Sequence, residues 1–401
     1  MGDKKIMYRY LTLLWAIVIQ VCFGAVYAWS TFVAPLKREY GLSSTQTQII
    51  FGVMIGIFAI MMIVTGRLQE KYGPRLIAAF GGIAYGAGYF IASFSKGNFL
   101  VLLFAMGLIA GMGLGLGYIS SIISCQKCFP RQKGLATGLV VAGFGSGAIA
   151  ISLIIKPMLD KRIDILFLFR RMGIVYFILI FIGAMFLKTP PENIKNVKER
   201  VRLSDLVKQK IYRTMFVCMF TGTFAGLMII GNLVPIGLSL GTNTASAVLA
   251  VSTFAIGNAT GRIIWGRLYD MFGRATITAS LAMMGISLLC LLLFGYSNSL
   301  FPIFACMTGF SFGANLVLYA AHTADIYGIR LVGLIYPYVA LAYGASAIIG
   351  PTFGGLCYDL RDNFTIPLIT AFILSIAGAV LFFLHCKRRE NKRSARSVQS
   401  I

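Results

Sequence analysis

Gly66-Arg-Leu-Gln-Glu70-Lys-Tyr-Gly73-Pro-Arg75 returns 200 residues later as Gly266-Arg-Leu-Tyr-Asp270-Met-Phe-Gly273-Arg274. Each copy follows a long apolar window and is short, charged and glycine-bounded, as a turn between two crossings should be. Gly66 pairs with Gly266, Glu70 with Asp270 and Gly73 with Gly273 at one offset. A second register, 199, pairs Gly134 with Gly333, Gly145 with Gly344 and Asp160 with Asp359. Matches in constant register point to a duplication. Two parallel repeats around a central cavity form the architecture of one large class of secondary transporters.

The rest of the composition agrees. Of 401 residues, 58% are hydrophobic and 12% charged, with a mean hydropathy of +0.82. Soluble domains run at roughly 45–50% apolar and about 25% charged, so a lipid-facing protein is indicated. Apolar windows fall near 10–33, 45–66, 76–95, 98–124, 134–155, 165–187, 214–240, 244–268, 275–295, 298–324, 332–356 and 365–385. Each approaches or exceeds the roughly 20 residues a helical crossing needs. Arg170 and Arg171 interrupt the start of the sixth. The expected fold is an all-α membrane protein of twelve helices in two pseudo-symmetric six-helix bundles. The bundles are residues 1–187 and 214–385, joined by a basic linker, 188–213, and followed by a basic tail, 386–401. No A-x-A-like cleavage site follows the first window, which therefore reads as an uncleaved helix.

The formal charge of +23, from 36 Lys+Arg against 13 Asp+Glu, would suggest nucleic acid in a soluble chain. Its distribution argues otherwise. Of the 36, 26 fall on the termini and even-numbered connections and nine on the odd-numbered side, which leaves Arg262, inside the eighth window. Basic residues gather on the cytoplasmic side, where anionic lipid also attracts them. Both termini are thus expected in the cytoplasm, in the plasma or bacterial inner membrane, with lipid and not nucleic acid as the partner. Eight scattered Cys and two His do not make a metal site. Gly113-Leu-Gly115-Leu-Gly117 and Gly143-Phe-Gly145-Ser-Gly147 lack a preceding strand, so they are helix-packing runs and not nucleotide loops. No phosphate-loop motif is present. Metal, cofactor and enzymatic chemistry are not expected.

The repeated turn has two readings. It is a solvated surface turn, or a gate whose residues (Gly66, Glu70, Lys71, Gly73, Arg75; Gly266, Asp270, Gly273, Arg274) lock one conformation. In the second reading the glycines allow close approach and the carboxylate pairs with basic residues or caps a neighbouring helix.

Together these features resemble the major facilitator superfamily over essentially the whole chain. Three segments narrow the resemblance. Gly24-Ala-Val-Tyr27-Ala-Trp29-Ser-Thr-Phe32, with Pro35-Leu36, is similar to the first helix of the oxalate:formate antiporter family. Cys128-Phe129-Pro130-Arg131-Gln-Lys133-Gly134-Leu-Ala136-Thr-Gly138, leading to Gly143-Phe144-Gly145, resembles a signature shared with monocarboxylate transporters. Asn258-Ala-Thr-Gly261-Arg262-Ile-Ile-Trp265-Gly266 resembles their eighth helix.

Arg262 is the residue to explain. A cation at a helix centre costs about 2.5–3.5 kcal/mol on insertion scales, and its planar fork matches a carboxylate. Asn258, four residues earlier, shares its helix face. The alternative is a side chain that snorkels to the headgroups. The resemblance implies contact with the substrate carboxylate. It also implies a second cation, a lysine on the eleventh helix, but Tyr343 stands in that place. One fixed cation suits one carboxylate. Tyr27, Tyr118, Tyr319 and Tyr343 offer hydroxyls, or serve as packing. His322 and Asp325 are candidate coupling groups; proton-coupled relatives carry an aspartate where this chain has Asn258, so anion exchange stays open beside proton symport.

The expected function is secondary transport of a small monocarboxylate (lactate-, pyruvate- or formate-like) by a monomer, with or without protons. An oxalate or other dicarboxylate exchanger and a carboxylate-binding membrane sensor are the alternatives.

Overall fold

The apolar windows fold as helices long enough to cross a membrane. The computed structural model describes residues 2–129, 133–187 and 203–398, excluding the side chains of 2–6, Arg67, Glu70, Gln126, Lys127, 133–137, Ser152, Lys156, Ile329, Arg330, 332–334 and 388–398. Helix α1 runs Gly2–Gly24, passes through a 3-10 turn at Ala25–Ala28 and continues Trp29–Tyr40. Then come α2 (Ser44–Tyr72), α3 (Pro74–Ala92) and α4, which comprises Phe99–Leu102, a π segment Leu103–Ala110 and Gly111–Cys128. Helices α5 (Lys133–Asp160) and α6 (Ile165–Phe186) complete the first half. The second half holds α7 (Lys210–Ser239), α8 (Thr244–Phe272), α9 (Ala275–Phe294), α10 (Leu300–Tyr327), α11 (Ile329–Arg361) and α12 (Thr365–Val398). Twelve segments among the described residues are long and apolar enough to span a bilayer. The number is even, so both chain ends lie on one face, here called the terminal face.

Two expected boundaries shift. Of the linker 188–213, residues 188–202 lie outside the described residues; the remainder is a short helix, Leu203–Lys208, followed at once by α7. The apolar span of α12 ends at Lys387, but its helix continues through most of the basic tail. Arg170 and Arg171 do not break α6.

The duplication is written into the backbone. Glycines with positive φ recur 200 residues apart: Gly41 (69°) with Gly241 (94°), and Gly73 (77°) with Gly273 (57°). These are left-handed or otherwise strained turns that a side chain would disfavour, so Gly73 and Gly273 make the turn, while Gly66 and Gly266 of the same motif lie inside α2 and α8. Ser43 caps α2 by accepting from the Gln46 N–H, and Asn243 caps α8 by accepting from the Ser246 N–H. Capping satisfies donors that a helix start otherwise leaves open.

Helix packing repeats as well. In the first half α2 packs on α4, α1 on α5 and α3 on α6; in the second α8 packs on α10, α7 on α11 and α9 on α12. Gly111 and Gly115 of α4 lie against the Met54 and Phe58 carbonyls, as Gly309 and Gly313 of α10 lie against those of Phe254 and Asn258. A Cβ at Gly309 or Gly313 would collide with backbone, so the close crossing of α8 and α10 depends on them.

The halves meet along two seams related by the pseudo-symmetry, α2 with α11 and α5 with α8, and the first is much the more extensive. On the far face Asp359, near the end of α11, receives the start of α2. Its Oδ1 accepts from Ser44 N at 3.0 Å, and its Oδ2 from Thr45 N at 2.7 Å and Thr45 Oγ1 at 2.6 Å. An anion there also meets the positive end of the α2 dipole. Lys37 lies 4.5 Å from the centroid of the Tyr358 ring across the same seam. Deeper in, Gln48 donates to the Gly231 carbonyl at 2.9 Å, an acceptor left open because Pro235 has no N–H to give it.

Candidate substrate site

Arg262 is 4% exposed. Helix α8 carries it into the interior because Gly257 and Gly261 press onto the backbone of α10 at Cys306 and Phe310, while Trp265 Nε1 ties the next turn to the Phe310 carbonyl at 3.1 Å. The guanidinium neither faces lipid nor reaches the terminal face. Its Nε donates to Asn258 Oδ1 at 3.2 Å, one turn away as the i, i+4 spacing requires. Its carbon lies 5.7 Å from the centroid of Phe144, which belongs to α5 of the other half. The charge therefore sits at the seam between bundles.

Aromatic residues from both halves surround it. Tyr27 and Tyr118 stand against the guanidinium, and Tyr336 and Tyr343 feel its charge. The Tyr27 and Tyr343 hydroxyls are 2.8 Å apart, a hydrogen bond that crosses the halves. Phe144 packs edge-on against Tyr27 and Tyr118, and Phe312 of α10 lies between Tyr27 and Tyr343. The 3-10 turn in α1 carries Tyr27 into this cluster, fully buried.

Two donors in this cluster have nowhere to go. Arg262 Nη1 and Asn258 Nδ2 are buried and make no hydrogen bond among the described residues. The Asn258 amide is oriented by its own chemistry: its oxygen must face the guanidinium to accept, so its nitrogen points away with two N–H groups to offer. Buried donors left unmade cost about 1–3 kcal/mol each, more when charged. Unpaired donors on and beside a fixed cation are the chemistry that binding an anion requires.

Of the six residues expected at the substrate, Arg262, Asn258, Tyr27, Tyr118 and Tyr343 come together. Tyr319 makes no hydrogen bond or ring contact with them among the described residues; its buried hydroxyl has no hydrogen-bond partner there. Sequence reading missed Tyr336, two helical turns from Tyr343 on the same face, whose hydroxyl donates to the Leu316 carbonyl at 3.0 Å. It also missed Phe144, although that residue lies inside a quoted segment.

His322 and Asp325 are brought together through a third residue. Tyr269 donates to Asp325 Oδ2 at 2.6 Å and lies 3.0 Å from His322 Nδ1. With its one proton committed to the carboxylate, the phenol accepts from the imidazole. His322 is buried and Asp325 exposed near the terminal face, so the three groups lead from the solvent inward.

Across the repeated turns, Arg75 Nη2 lies 3.1 Å from Met185 Sδ and Lys71 stacks over Tyr72 at 5.0 Å. The Glu70 side chain lies outside the described residues, as do Pro130 and Arg131. Asp270 is exposed, and the only ion pair among the described residues is Arg38 with Glu39. Every hydrogen bond described between the halves lies at the Arg262 cluster or on its far side. These bonds join the far face.

Comparison with known proteins agrees with this architecture. The family model described as Major Facilitator Superfamily matches residues 14–243 and 215–400. The chain is 27% identical to the uncharacterized MFS-type transporter YhjX of Escherichia coli (strain K12), over 85% of this chain and 86% of that one. It is 27% identical to the oxalate:formate antiporter of Oxalobacter formigenes, over 92% and 89%. With the apicoplast pyruvate carrier 1 of Toxoplasma gondii it shares 22% identity, over 84% and 81%. Twelve apolar helices, a two-fold repeat and a family match running through both halves lead to one statement: the chain is an integral multi-pass membrane protein that belongs to the Major Facilitator Superfamily.

Proposed function

We propose that this protein is a secondary transporter of small organic monocarboxylates, working by alternating access. The carrying observation is the pair of unpartnered buried donors, Arg262 Nη1 and Asn258 Nδ2, at the seam of the halves. A carboxylate bridging them forms charge-assisted hydrogen bonds, and Tyr27, Tyr118 and Tyr343 line the same space with neutral hydroxyls and rings. Bound substrate neutralises the one fixed cation and draws the aromatic walls of both halves together. With both termini in the cytoplasm, as the basic residues indicate, the joined far face is extracytoplasmic.

Relatives named for oxalate and formate and for pyruvate support a small carboxylate. The dicarboxylate reading is disfavoured because Tyr343 supplies a hydroxyl where a second cation is needed. Tyr269, the middle member of a candidate proton route Asp325–Tyr269–His322, lies seven residues from Arg262 along α8, about 10 Å of rise at 1.5 Å each. The test is uptake of labelled lactate, pyruvate, formate and oxalate into proteoliposomes, with and without a pH gradient. Uptake of a monocarboxylate that oxalate competes with only weakly is expected; oxalate competing at least as well as lactate overturns the substrate class. Acceleration by an inward proton gradient identifies symport, and dependence on a preloaded anion identifies exchange. Thermal stabilisation by carboxylates without any uptake would make the protein a sensor.

A further inference from the structure

Arg170 and Arg171 have no place in the transport reading. They lie in the sixth and seventh positions of α6, about 8 Å along the helix from its far-face end at 1.5 Å per residue, and both are exposed. Neither makes an ion pair among the described residues. Each is instead held on an aromatic ring: Arg170 lies 4.6 Å from the centroid of Phe94, and Arg171 4.9 Å from that of Phe167. Phe94 lies beyond the last residue of α3, and Phe167 one turn nearer the end of α6. Both guanidiniums therefore turn back toward the far boundary of the membrane. Such stacking fixes a guanidinium while leaving its N–H fork open.

Below them the surface is apolar. Ile174, Phe177 and Ile178 continue the Arg170 face of α6, and Phe90 of the tightly paired α3 and Phe94 just past its end border it; all are exposed. The charge distribution around the pair is lopsided. Of the nine basic residues on the far side, eight belong to the first half, and Arg361 alone to the second.

We infer that the far-face end of the α3–α6 surface is a binding site for an anionic phospholipid, whose phosphate is held by Arg170 and Arg171 and whose acyl chains lie along Ile174, Phe177 and Ile178. Charge complementarity selects the occupant. Two open guanidinium forks beside a hydrocarbon-facing wall fit an amphiphile with a phosphate, and a zwitterionic headgroup would bring its own cation into the same patch.

Native mass spectrometry of the detergent-purified full chain, offered phosphatidylglycerol and phosphatidylcholine in turn, tests the inference. The wild-type chain is expected to retain several-fold more phosphatidylglycerol. Arg170→Gln with Arg171→Gln should lose that preference, and the double Lys variant should keep most of it. Equal retention of the two lipids by the wild-type chain, or a preference that survives the double Gln substitution, overturns it. Should the Gln variant not fold, a photoactivatable phosphatidylglycerol on the wild-type chain gives a second reading. Adducts on residues 167–178 and 90–94 support the site, and adducts confined to other surfaces overturn it.

Discussion

Helices α2 and α8 occupy the same place in the two repeats and do opposite things. At the offset of 200, Phe58 corresponds to Asn258 and Met62 to Arg262. Their backbones are used alike, each laid against glycines of the fourth helix of its own half. Their side chains are not. The Phe58 ring packs 5.0 Å from Tyr118 and 6.3 Å from both Phe144 and Tyr343, so α2 supplies wall. Helix α8 supplies charge and donors. A packing contact between a glycine and a carbonyl needs only backbone, and it survives divergence of everything around it. Helix α8 brings one cation to the cluster and α2 brings none; a second buried guanidinium beside the first would repel it.

The sharpest way to break this contrast is Arg262→Gln. It removes the only charge in the cluster, and a hydrogen bond to a charged group is worth about 1.5–3 kcal/mol. Monocarboxylate uptake should fall about 10- to 100-fold while the protein still elutes as a folded species; unchanged uptake would mean that α8 is as much wall as α2. Next in size is the far-face pair Asp359 and Asp160, which share one register. Asp359 receives the start of α2, whereas Asp160 is exposed and makes no hydrogen bond among the described residues. Asp359→Asn is expected to weaken far-face closure by about 1–2 kcal/mol, read as faster labelling of cysteines placed at the far ends of α2 and α11. Asp160→Asn should leave that labelling rate unchanged. If both variants behave alike, the two seams are not as different as their packing implies.

Asn258→Ala removes one donor and the group that orients the guanidinium. Uptake should drop about fivefold for roughly 1 kcal/mol, mostly as a higher half-saturation concentration. The smallest effect belongs to the crossing hydroxyls. Tyr27→Phe deletes one partner of the Tyr27–Tyr343 bond, and a two- to fivefold loss is expected for about 0.5–1 kcal/mol. Tyr343→Phe should match it, and a much larger loss in one alone would show that this hydroxyl touches substrate and does not merely join the halves.

Much of this was legible in the chain. The twelve windows, their division and the Asn258–Arg262 face follow from hydropathy and helical period. The glycines at 73 and 273 were readable as turn formers. Tyr336, Tyr269 and Phe144 were not readable as site residues. In a chain with 18 Tyr and 31 Phe, an aromatic residue in an apolar helix looks the same whether it faces lipid, core or substrate. Tyr319 shows the converse. It has the right type and the right helix, yet it makes no hydrogen bond or ring contact with the cluster among the described residues.

By itself the sequence determined the number of crossings, the duplication and the presence of one embedded cation. These depend on transfer free energies and local spacing, which act along the chain. Tertiary structure alone decided which tyrosines meet Arg262, that Tyr269 links His322 to Asp325, and that Asp359 and not Asp160 joins the halves. Each of those is a contact between helices far apart in sequence, fixed by how closely glycines let backbones approach and at what rotation. No local periodicity carries that information.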